Sequence, residues 1–347
     1  MRIISPLLFV LGLVLFASCG PKNTDSDADG GADLVVSIYD PEKVYEGTTL
    51  FTDGHDPKNF RVLEIDMKGE VVWEYDVPQE LIEGQPVGFD AELLENGNVL
   101  IVLSGSGLYE VDRAGNIVWS YEDAEVSHDA DRLANGNTLV NFGNNDKKTD
   151  AAVKAVTPAG EVIWEWYVKD VYGASEFQNL EPEGGWVHAN AVERLSDGNT
   201  MVSLRNFYLT SIVDGNGKLV EEFDWSTFGA DTDPHEPEIH EGENTLLVCL
   251  QNDSPYVAVE IDMETKETLW TYTNTDLRTA RDCDELPNGN VLIVAVDAGG
   301  TKGDQSDDFS TIIEVTPEGE IVWRLDLENF PAEKSPGFFF KAQRIGE

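Results

Sequence analysis

A hairpin sequence that recurs along the chain constrains the fold more than any other feature. Its clearest copy is residues 131–140, in which two alternating apolar and polar runs flank the turn Asn135-Gly136. Asn-Gly or Asp-Gly between such runs is the strongest short-range signal for a β-hairpin. Further copies begin at Ala91, Glu193 and Asp284, and a degenerate copy begins at Glu238. The chain is therefore predicted to consist of repeated β-hairpins.

A second hairpin sequence follows each copy of the first and usually ends in tryptophan. The clearest copy runs from Glu110 to Trp119, where Gly115 permits the positive φ that the turn requires. One copy has Glu221 at the position of the tryptophan. The remaining copies end at Trp73, Trp164, Trp270 and Trp323. The two hairpins together make a four-stranded antiparallel unit.

Repetition of this unit predicts an all-β protein, a six-bladed β-propeller. The unit recurs about every 45–60 residues, near the repeat lengths of propeller blades. The first unit, near Tyr45 to Tyr75, lacks an opening strand, and Phe340 to Ile345 match that strand. Because a ring must close at its open edge, we expect the C-terminal strand to complete the first blade. Two β-sandwiches are the alternative, and a single repeated unit argues against them.

The first 19 residues differ in composition from the rest of the chain. Arg2 precedes an apolar run from Ile3 to Phe16, and Ala17-Ser18-Cys19 follows. This pattern is typical of a secretory signal peptide and is too short for a spanning helix. Cys19 after two small residues also resembles a bacterial lipobox, in which the cysteine is diacylated. We expect a cell-envelope protein anchored through Cys19, at the outer membrane or facing the periplasm, with free secretion as the alternative.

Residues 20–38 are predicted to be a disordered acidic tether and residues 39–347 the propeller domain. The segment from Gly20 to Asp33 is rich in Asp, Gly, Ser and Asn and has almost no apolar residues. The formal net charge of −43 argues against nucleic acid and anionic membranes as partners, and we interpret it mainly as a solvated surface. The membrane is therefore expected as a partner only through the lipid anchor.

Two smaller features leave alternatives open. Cys249 and Cys283 lie in neighbouring predicted blades, where they could pair in an oxidising compartment or remain buried as small hydrophobic residues. The densest acidic loop, residues 297–308, contains Lys302 and has a spacing that fits no known calcium loop. Neither feature predicts a metal site.

Histidine and arginine interrupt the repeat where the first strand of a blade begins. Counted back from the last Asn of each turn, this position holds Phe89, His128, Asn190, His235 and Arg281, and Phe340 in the borrowed strand. His188 lies two residues before Asn190, on the same face of a strand, and Arg205 follows the second strand of that blade. The first strand of a blade lines the channel, so we expect these cations to converge. Such a cluster is typical of an anion site.

These residues carry a family resemblance. His188-Ala189-Asn190, followed by Ser203-Leu204-Arg205, is similar to the His-x-Asn and Ser-x-Arg motifs of bacterial arylsulfate sulfotransferases. The segments at His128 and His235 resemble the two other histidine-bearing strand starts of that family, and the resemblance spans about residues 44–345. It implies a periplasmic six-bladed propeller that moves a sulfuryl group from one phenol to another through a sulfohistidine. The nucleotide donor PAPS is not used.

The resemblance also implies a role for each site residue. His235 matches the transient nucleophile, His128, His188 and Arg205 match the residues around the transferred group, and Asn190 matches the Asn of His-x-Asn. Arg281 and Phe89 are candidate substrate-binding residues at equivalent strand starts. The expected partners are a small aryl sulfate donor and a phenol acceptor.

The residue types suit that chemistry. A neutral imidazole is a good nucleophile and covalent carrier, and a guanidinium offers planar donors to sulfate oxygens. A second histidine near its ordinary pKa can protonate the leaving phenolate and later deprotonate the acceptor. The cycle requires no metal and no other cofactor.

Two other functions stay open. A non-catalytic envelope propeller could bind an anionic or aromatic ligand with the same residues, because a fold alone does not determine function. Convergence of His128, His188, Arg205 and His235 on one sulfate-sized point would favour the enzyme. A metal-dependent, lactonase-like propeller would need carboxylate or amide ligands in the channel, whereas the inward positions are mostly His, Arg and Phe.

Overall fold

Six antiparallel sheets form a closed ring of blades in the computed structural model, which confirms the predicted propeller. The structure describes residues 33–346 except 57–58, 83–88, 183, 230–231, 241, 252–255, 298–308 and 329–338. The predicted signal peptide, Cys19 and residues 20–32 of the predicted tether lie outside the described residues, as does most of the acidic loop at 297–308. Within the described part of the chain, no helix has the length and apolar character needed to cross a bilayer.

The strands are numbered along the chain, and β1 is Asp33–Tyr39. Blade 1 contains β2 (Gly47–Asp53), β3 (Arg61–Ile65) and β4 (Val71–Asp76). Blade 2 contains β5 (Phe89–Leu93), β6 (Val99–Leu103), β7 (Gly107–Val111) and β8 (Ile117–Glu122). Blade 3 contains β9 (Ala130–Arg132), β10 (Thr138–Asn141), β11 (Val153–Val156) and β12 (Val162–Trp166).

Blade 4 contains β13 (Ala189–Arg194), β14 (Thr200–Leu204), β15 (Leu209–Val213) and β16 (Leu219–Asp224). Blade 5 contains β17 (Pro234–His240), β18 (Thr245–Leu250), β19 (Ala258–Asp262) and β20 (Thr268–Tyr272). Blade 6 contains β21 (Leu277–Glu285), β22 (Val291–Asp297), β23 (Phe309–Val315) and β24 (Ile321–Glu328), and β25 is Phe339–Gly346. Short helices are α1 (Lys169–Tyr172) and 3₁₀ turns at Gln79–Leu81, Glu176–Asn179, Arg205–Phe207 and Trp225–Phe228.

The core is divided among the junctions between neighbouring blades. Side chains alternate across a strand, so adjacent residues enter different cores. Leu50 packs against blade 2, and the next residue, Phe51, packs against blade 6. Cys249 and Cys283 share the core between blades 5 and 6, where they are free thiols that hydrogen-bond each other. Because both faces of the second strand of a blade are covered, runs such as Val99–Leu103 are buried throughout.

The C-terminal strand closes the ring, as the sequence predicted. β25 pairs antiparallel with β2 from Gly47 opposite Gly346 to Asp53 opposite Phe339. Arg344 fixes this seam because its guanidinium donates to the Tyr45 carbonyl at 2.6 Å and to Glu314 Oε2 of blade 6 at 3.0 Å. The borrowed strand is thereby tied to the blades on both sides of the seam.

The N-terminal boundary of the propeller lies earlier than the sequence predicted. Asp33–Tyr39 was expected to belong mainly to the tether, but it forms β1, a fifth strand that pairs with β24 of blade 6. β1 covers Val322, which is only 1% exposed. The equivalent residues of the other five blades are more than half exposed: Val72 54%, Val118 53%, Ile163 55%, Val220 55% and Leu269 55%. The first and last strands that the structure describes therefore each cover an exposed sheet edge: β1 covers β24, and β25 covers β2.

The repeated tryptophans join one blade to the next. Each indole N–H donates to a backbone carbonyl in a turn of the following blade, for example Trp119 to Pro158 at 2.9 Å and Trp323 to Met67 at 2.9 Å. Glu221 replaces the tryptophan in blade 4, and it forms an ion pair with Lys266 of blade 5 instead. The departure from the repeat thus retains the link between the two blades.

Removing β1 should lower stability without abolishing the ring. A chain that begins at residue 40 loses the pairing with β24 and exposes Val322, so its Tm should fall by about 5–10 °C relative to a chain beginning at residue 33. Thermal unfolding followed by circular dichroism would measure the difference. Equal Tm values for the two chains would contradict a stabilising role for β1.

Candidate active site

One side chain from each of the six aligned positions borders a small cavity of about 10 Å³ in the channel. These positions are not all strand starts as predicted, since His128 lies two residues before β9 and Arg281 lies inside β21. The repeat places these positions at the same height, and the cavity is bounded by Phe89, His128, Asn190, His235, Arg281 and Phe340. Glu236 and Lys341, which follow two of these positions in sequence, also line it. The positions that the repeat aligned are thus brought together in space.

His188 reaches the same place by a different route from the one the sequence predicted. It does not lie on the strand, because β13 begins at Ala189 and His188 has a left-handed φ of 51°. Asp146 holds this backbone by accepting the N–H groups of Val187 at 3.0 Å and His188 at 2.9 Å. The His188 ring lies 4.7 Å from the His128 ring, centroid to centroid.

The tautomer of His188 follows from its surroundings. Nδ1 lies 2.9 Å from the Gly184 carbonyl, which can only accept, so Nδ1 carries the proton and Nε2 is left with its lone pair. Gly184 itself has a φ of +85°, and a Cβ there would lie 2.7 Å from Nδ1. Glycine is therefore required both for the backbone conformation and for the close approach of the ring.

All three channel histidines are held neutral. Burial lowers the pKa of His128 and of His235 well below the ordinary value, and the nearby guanidiniums of Arg281 and Arg205 lower both further. Burial and then Arg205 lower the pKa of His188 to about 4. The imidazoles are therefore uncharged at neutral pH and retain a nucleophilic nitrogen. The ordinary pKa that was expected for the acid–base histidine, His128, is therefore wrong.

Two arginines supply the positive charge of the site. Arg205 is held by Asp233, whose Oδ2 accepts from both Nε and Nη2 at 2.8 Å. Arg281 lies with its guanidinium carbon 4.6 Å from the centre of the Phe340 ring. Burial and then the charge of Arg205 lower the pKa of Arg281 to about 10, so the two cations repel each other. An anion between them would relieve that repulsion.

Asn190 offers an acceptor to a ligand. The side chain is 1% exposed, and its Nδ2 donates to the Pro234 carbonyl at 3.1 Å. Its Oδ1 is buried and has no hydrogen-bond partner among the described residues. A buried acceptor without a partner is costly, and a hydroxyl donor would satisfy it.

A layer of carboxylates lies directly beyond the cationic cluster, and the sequence analysis missed it. Asp90, Asp129, Glu236 and Asp282 each follow one of the aligned channel positions. The Lys341 ammonium lies among them, at 2.7 Å from Asp129, 2.5 Å from Glu236 and 3.6 Å from Asp90. Burial opposes the charge of Lys341, but these carboxylates outweigh it and keep its pKa well above the ordinary value.

The carboxylate layer opens into an acidic bowl of about 270 Å³. Further acidic residues line it, namely Glu92, Asp131, Glu193, Glu238 and Asp284. The expectation that inward positions are mostly His, Arg and Phe therefore describes only one layer of the channel. The signal was present in the sequence as an acidic residue after four of the six aligned positions, but the acidic residues were interpreted as a solvated surface.

The fold is a six-bladed propeller with histidines and arginines clustered in its channel. A family model described as "Arylsulfotransferase (ASST)" matches residues 35–212 and 206–335 of the chain. The chain belongs to the arylsulfotransferase family, as its sequence motifs indicated.

Solved structures resemble the fold more widely. The chain is similar to a protein of unknown function from Bacteroides caccae, with 19% identity, a TM-score of 0.60, and coverage of 87% of this chain and 100% of that chain. It is also similar to a streptogramin B lyase, with 14% identity, a TM-score of 0.51, and coverage of 86% and 84% respectively. At such identities these similarities show the fold alone. No curated protein matches the chain.

Neutralising one carboxylate of the bowl should stabilise the protein at high pH. Burial, followed by the charges of Asp131 and Asp90, raises the pKa of Glu92 to about 8, and its Oε2 is buried without a hydrogen-bond partner among the described residues. The folded state then binds the proton more tightly than the unfolded chain, so this group removes stability as the pH rises towards 8. Glu92→Gln should therefore gain more stability at pH 8.5 than at pH 5.

Urea unfolding at both pH values measures this gain, which should exceed about 2 kcal/mol at pH 8.5, since one pKa unit corresponds to about 1.4 kcal/mol. Glu95→Gln, on the exposed turn that follows, is the matched control and should leave the free energy of unfolding unchanged at both pH values. A gain for Glu92→Gln that does not change with pH would show that burial does not perturb this carboxyl.

Proposed function

We propose that this protein transfers a sulfuryl group from a phenolic sulfate ester to a phenol, with His235 as the covalent carrier. The observation that carries the proposal is that His128, His235 and Arg281 line one cavity of the channel, with the His188 ring 4.7 Å from the His128 ring. The three imidazoles are buried and neutral, and the charge of Arg205, which does not line that cavity, helps to lower the pKa of each. Membership of the arylsulfotransferase family supports the reaction class.

In the first step, a neutral nitrogen of His235 attacks the sulfur of the donor. The N–S bond forms, the S–O bond to the aryl group breaks, and the phenolate leaves with that electron pair. Arg205 and Arg281 would stabilise the negative charge on the sulfuryl oxygens in the transition state. Asp233 keeps Arg205 oriented, because Nε and Nη2 of the arginine both contact Oδ2 of this carboxylate.

A histidine must supply a proton to the leaving phenolate. His128 is neutral because burial and the nearby cations lower its pKa. The negative charge of a bound sulfate ester opposes that effect and raises the pKa again, so His128 can take up a proton together with the donor. In the second step the neutral His128 removes the proton of the acceptor phenol, whose oxygen attacks sulfur and breaks the N–S bond.

Two aromatic side chains and one amide border the cavity. Phe89 and Phe340 supply apolar walls, and Oδ1 of Asn190 can accept a hydrogen bond from a phenol hydroxyl. His188 presents Nε2 beside His128 and can accept from the substrate or from a protonated neighbour. The cavity has a volume of about 10 Å³, the space of one water molecule, so the phenols of donor and acceptor would bind here in turn only after its side chains move apart.

His235→Ala should abolish the reaction. Incubation of wild-type protein with p-nitrophenyl sulfate and phenol should release nitrophenolate, and intact-mass analysis after donor alone should show an added sulfuryl group. Both signals should disappear in His235→Ala, because a residue that forms the covalent intermediate cannot be replaced by the rest of the unit. His240→Gln, at the far end of the same strand, is the matched control and should retain both signals.

Full nitrophenolate release by His235→Ala would exclude the assignment of the carrier. A wild-type protein that binds aryl sulfates but forms neither product nor adduct would instead support the non-catalytic propeller, for which the same cluster serves as an anion-binding site.

We further propose that the reaction takes place in the cell envelope, with the protein anchored through Cys19. The basis is the apolar segment that ends in Ala17-Ser18-Cys19. Cys19→Ala should move the protein from the membrane to the soluble fraction of a bacterial host, since the diacylated cysteine would be its only anchor. Ser18→Ala is the matched control. Fractionation that is unchanged by Cys19→Ala would contradict lipidation.

A further inference from the structure

One junction between blades departs from the repeat, and we propose that it binds a divalent transition-metal ion such as Mn²⁺ or Zn²⁺. The ligands are His240 and Glu260 of blade 5 and Glu285 of blade 6. Their nearest ligand atoms all lie within 4.8 Å of one another. This junction is separate from the cluster around His235, because His235 begins β17 and His240 ends it.

Two other junctions place an ion pair at this level of the ring. In each of them a glutamate of the third strand of one blade lies opposite an arginine of the inner strand of the next. Glu110 pairs with Arg132 at 2.9 Å, and Glu314 pairs with Arg344 at 3.0 Å. At these two junctions a fixed cation neutralises the carboxylate.

The junction between blades 5 and 6 has the carboxylate but lacks the arginine. Glu260 is the repeat glutamate, and the position of Arg132 is occupied by Glu285, counted back from the turn Asn in each copy. Two carboxylates then face each other where the junctions at Glu110 and Glu314 have an ion pair. This inversion of charge requires a cation from another source.

A histidine stands at the same point and also breaks the repeat. His240 occupies the position that is leucine in four other copies, Leu94, Leu133, Leu195 and Leu286. Its Nδ1 lies 2.6 Å from Glu285 Oε2 and 3.9 Å from Glu260 Oε1. His240 replaces an apolar residue, and Glu285 replaces an arginine with a residue of opposite charge. The two replacements occur at the same junction, and each provides a possible metal ligand.

A third carboxylate lies beside the imidazole. Glu238 Oε2 lies 3.1 Å from Nε2 of His240 and accepts the backbone N–H of Glu285 at 2.9 Å. Nε2 itself is buried and has no hydrogen-bond partner among the described residues. Nδ1 lies on the side of Glu260 and Glu285, 3.3 Å from Thr245 Oγ1, and it is the nitrogen that an ion would bind.

The ligand set selects the class of ion. One imidazole nitrogen and two carboxylates suit Zn²⁺ and Mn²⁺ better than Ca²⁺, which prefers a shell of oxygen ligands. The side chains of His240, Glu260 and Glu285 are 15%, 21% and 31% exposed, so an ion can enter from solvent. A proton is the competing cation, since Glu238 and Glu260 raise the pKa of His240 to about 10.

Titration of the EDTA-treated protein with Mn²⁺ and with Zn²⁺ tests the site. Calorimetry at pH 7.5 in buffers of different ionisation enthalpy should show one bound ion and about one released proton, because the ion displaces the proton of His240. Thermal unfolding should show a rise in Tm on binding. None of these measurements depends on sulfotransferase activity.

Two variants return the junction to the repeat pattern. His240→Leu restores the leucine and Glu285→Arg restores the ion pair with Glu260, so both should stay folded while the bound ion and the rise in Tm are lost. Glu318→Arg, an equal change of charge on an exposed turn, should leave binding intact. His188→Asn should also leave it intact, since that histidine belongs to the channel cluster.

Metal binding that is the same in wild type, His240→Leu and Glu285→Arg would overturn the proposal, as would loss of the ion in His188→Asn alone. Absence of binding by wild type at millimolar metal would show that the proton alone neutralises the junction, and it would equally overturn the proposal. If His240→Leu does not fold, Glu285→Arg decides the outcome.

Discussion

The pairing of β25 with β2 is the interaction on which the rest of the structure depends. An open row of blades would leave the edge of β2 without a partner and would expose the cores on both sides of blade 1. Closing the ring buries Arg344 against Glu314 and brings Phe340 and Lys341 into the channel. The same pairing therefore completes the hydrophobic cores and supplies residues to two layers of the site.

Charge in the channel is arranged in two opposed layers. The upper layer collects His128, His188 and His235 with two arginines, and burial keeps the histidines neutral. The lower layer collects carboxylates around the single ammonium of Lys341. Asp233 balances the charge of Arg205 in the upper layer, whereas Asp90, Glu236 and Asp282 of the lower layer have raised pKa values. The sulfate ester of the proposed reaction would bring a further negative charge to the layer that holds the two arginines.

Comparison of the copies within the chain found most of the candidate site. The copies differ from one another at one aligned position, and in each blade this position faces the central channel. Comparison at that position found Phe89, His128, Asn190, His235 and Arg281. Asp233 and Asp146 were not found, since they act through contacts with Arg205 and with the backbone of His188 that no spacing reveals. β1 was missed because its seven residues carry no copy of the repeat, although five of them are apolar or aromatic.

The sequence by itself determined the repeated hairpins, their number and the closure by the C-terminal strand, because turn chemistry and alternation of side chains act locally. It also aligned His128 with His235, and both line the channel cavity, although β9 begins two residues after His128. Only the tertiary structure decided the protonation state of those histidines, the left-handed turn that brings His188 to His128, and the position of Lys341 among carboxylates. These properties depend on burial and on charges contributed by different blades, and burial is a property of the assembled ring rather than of any one segment.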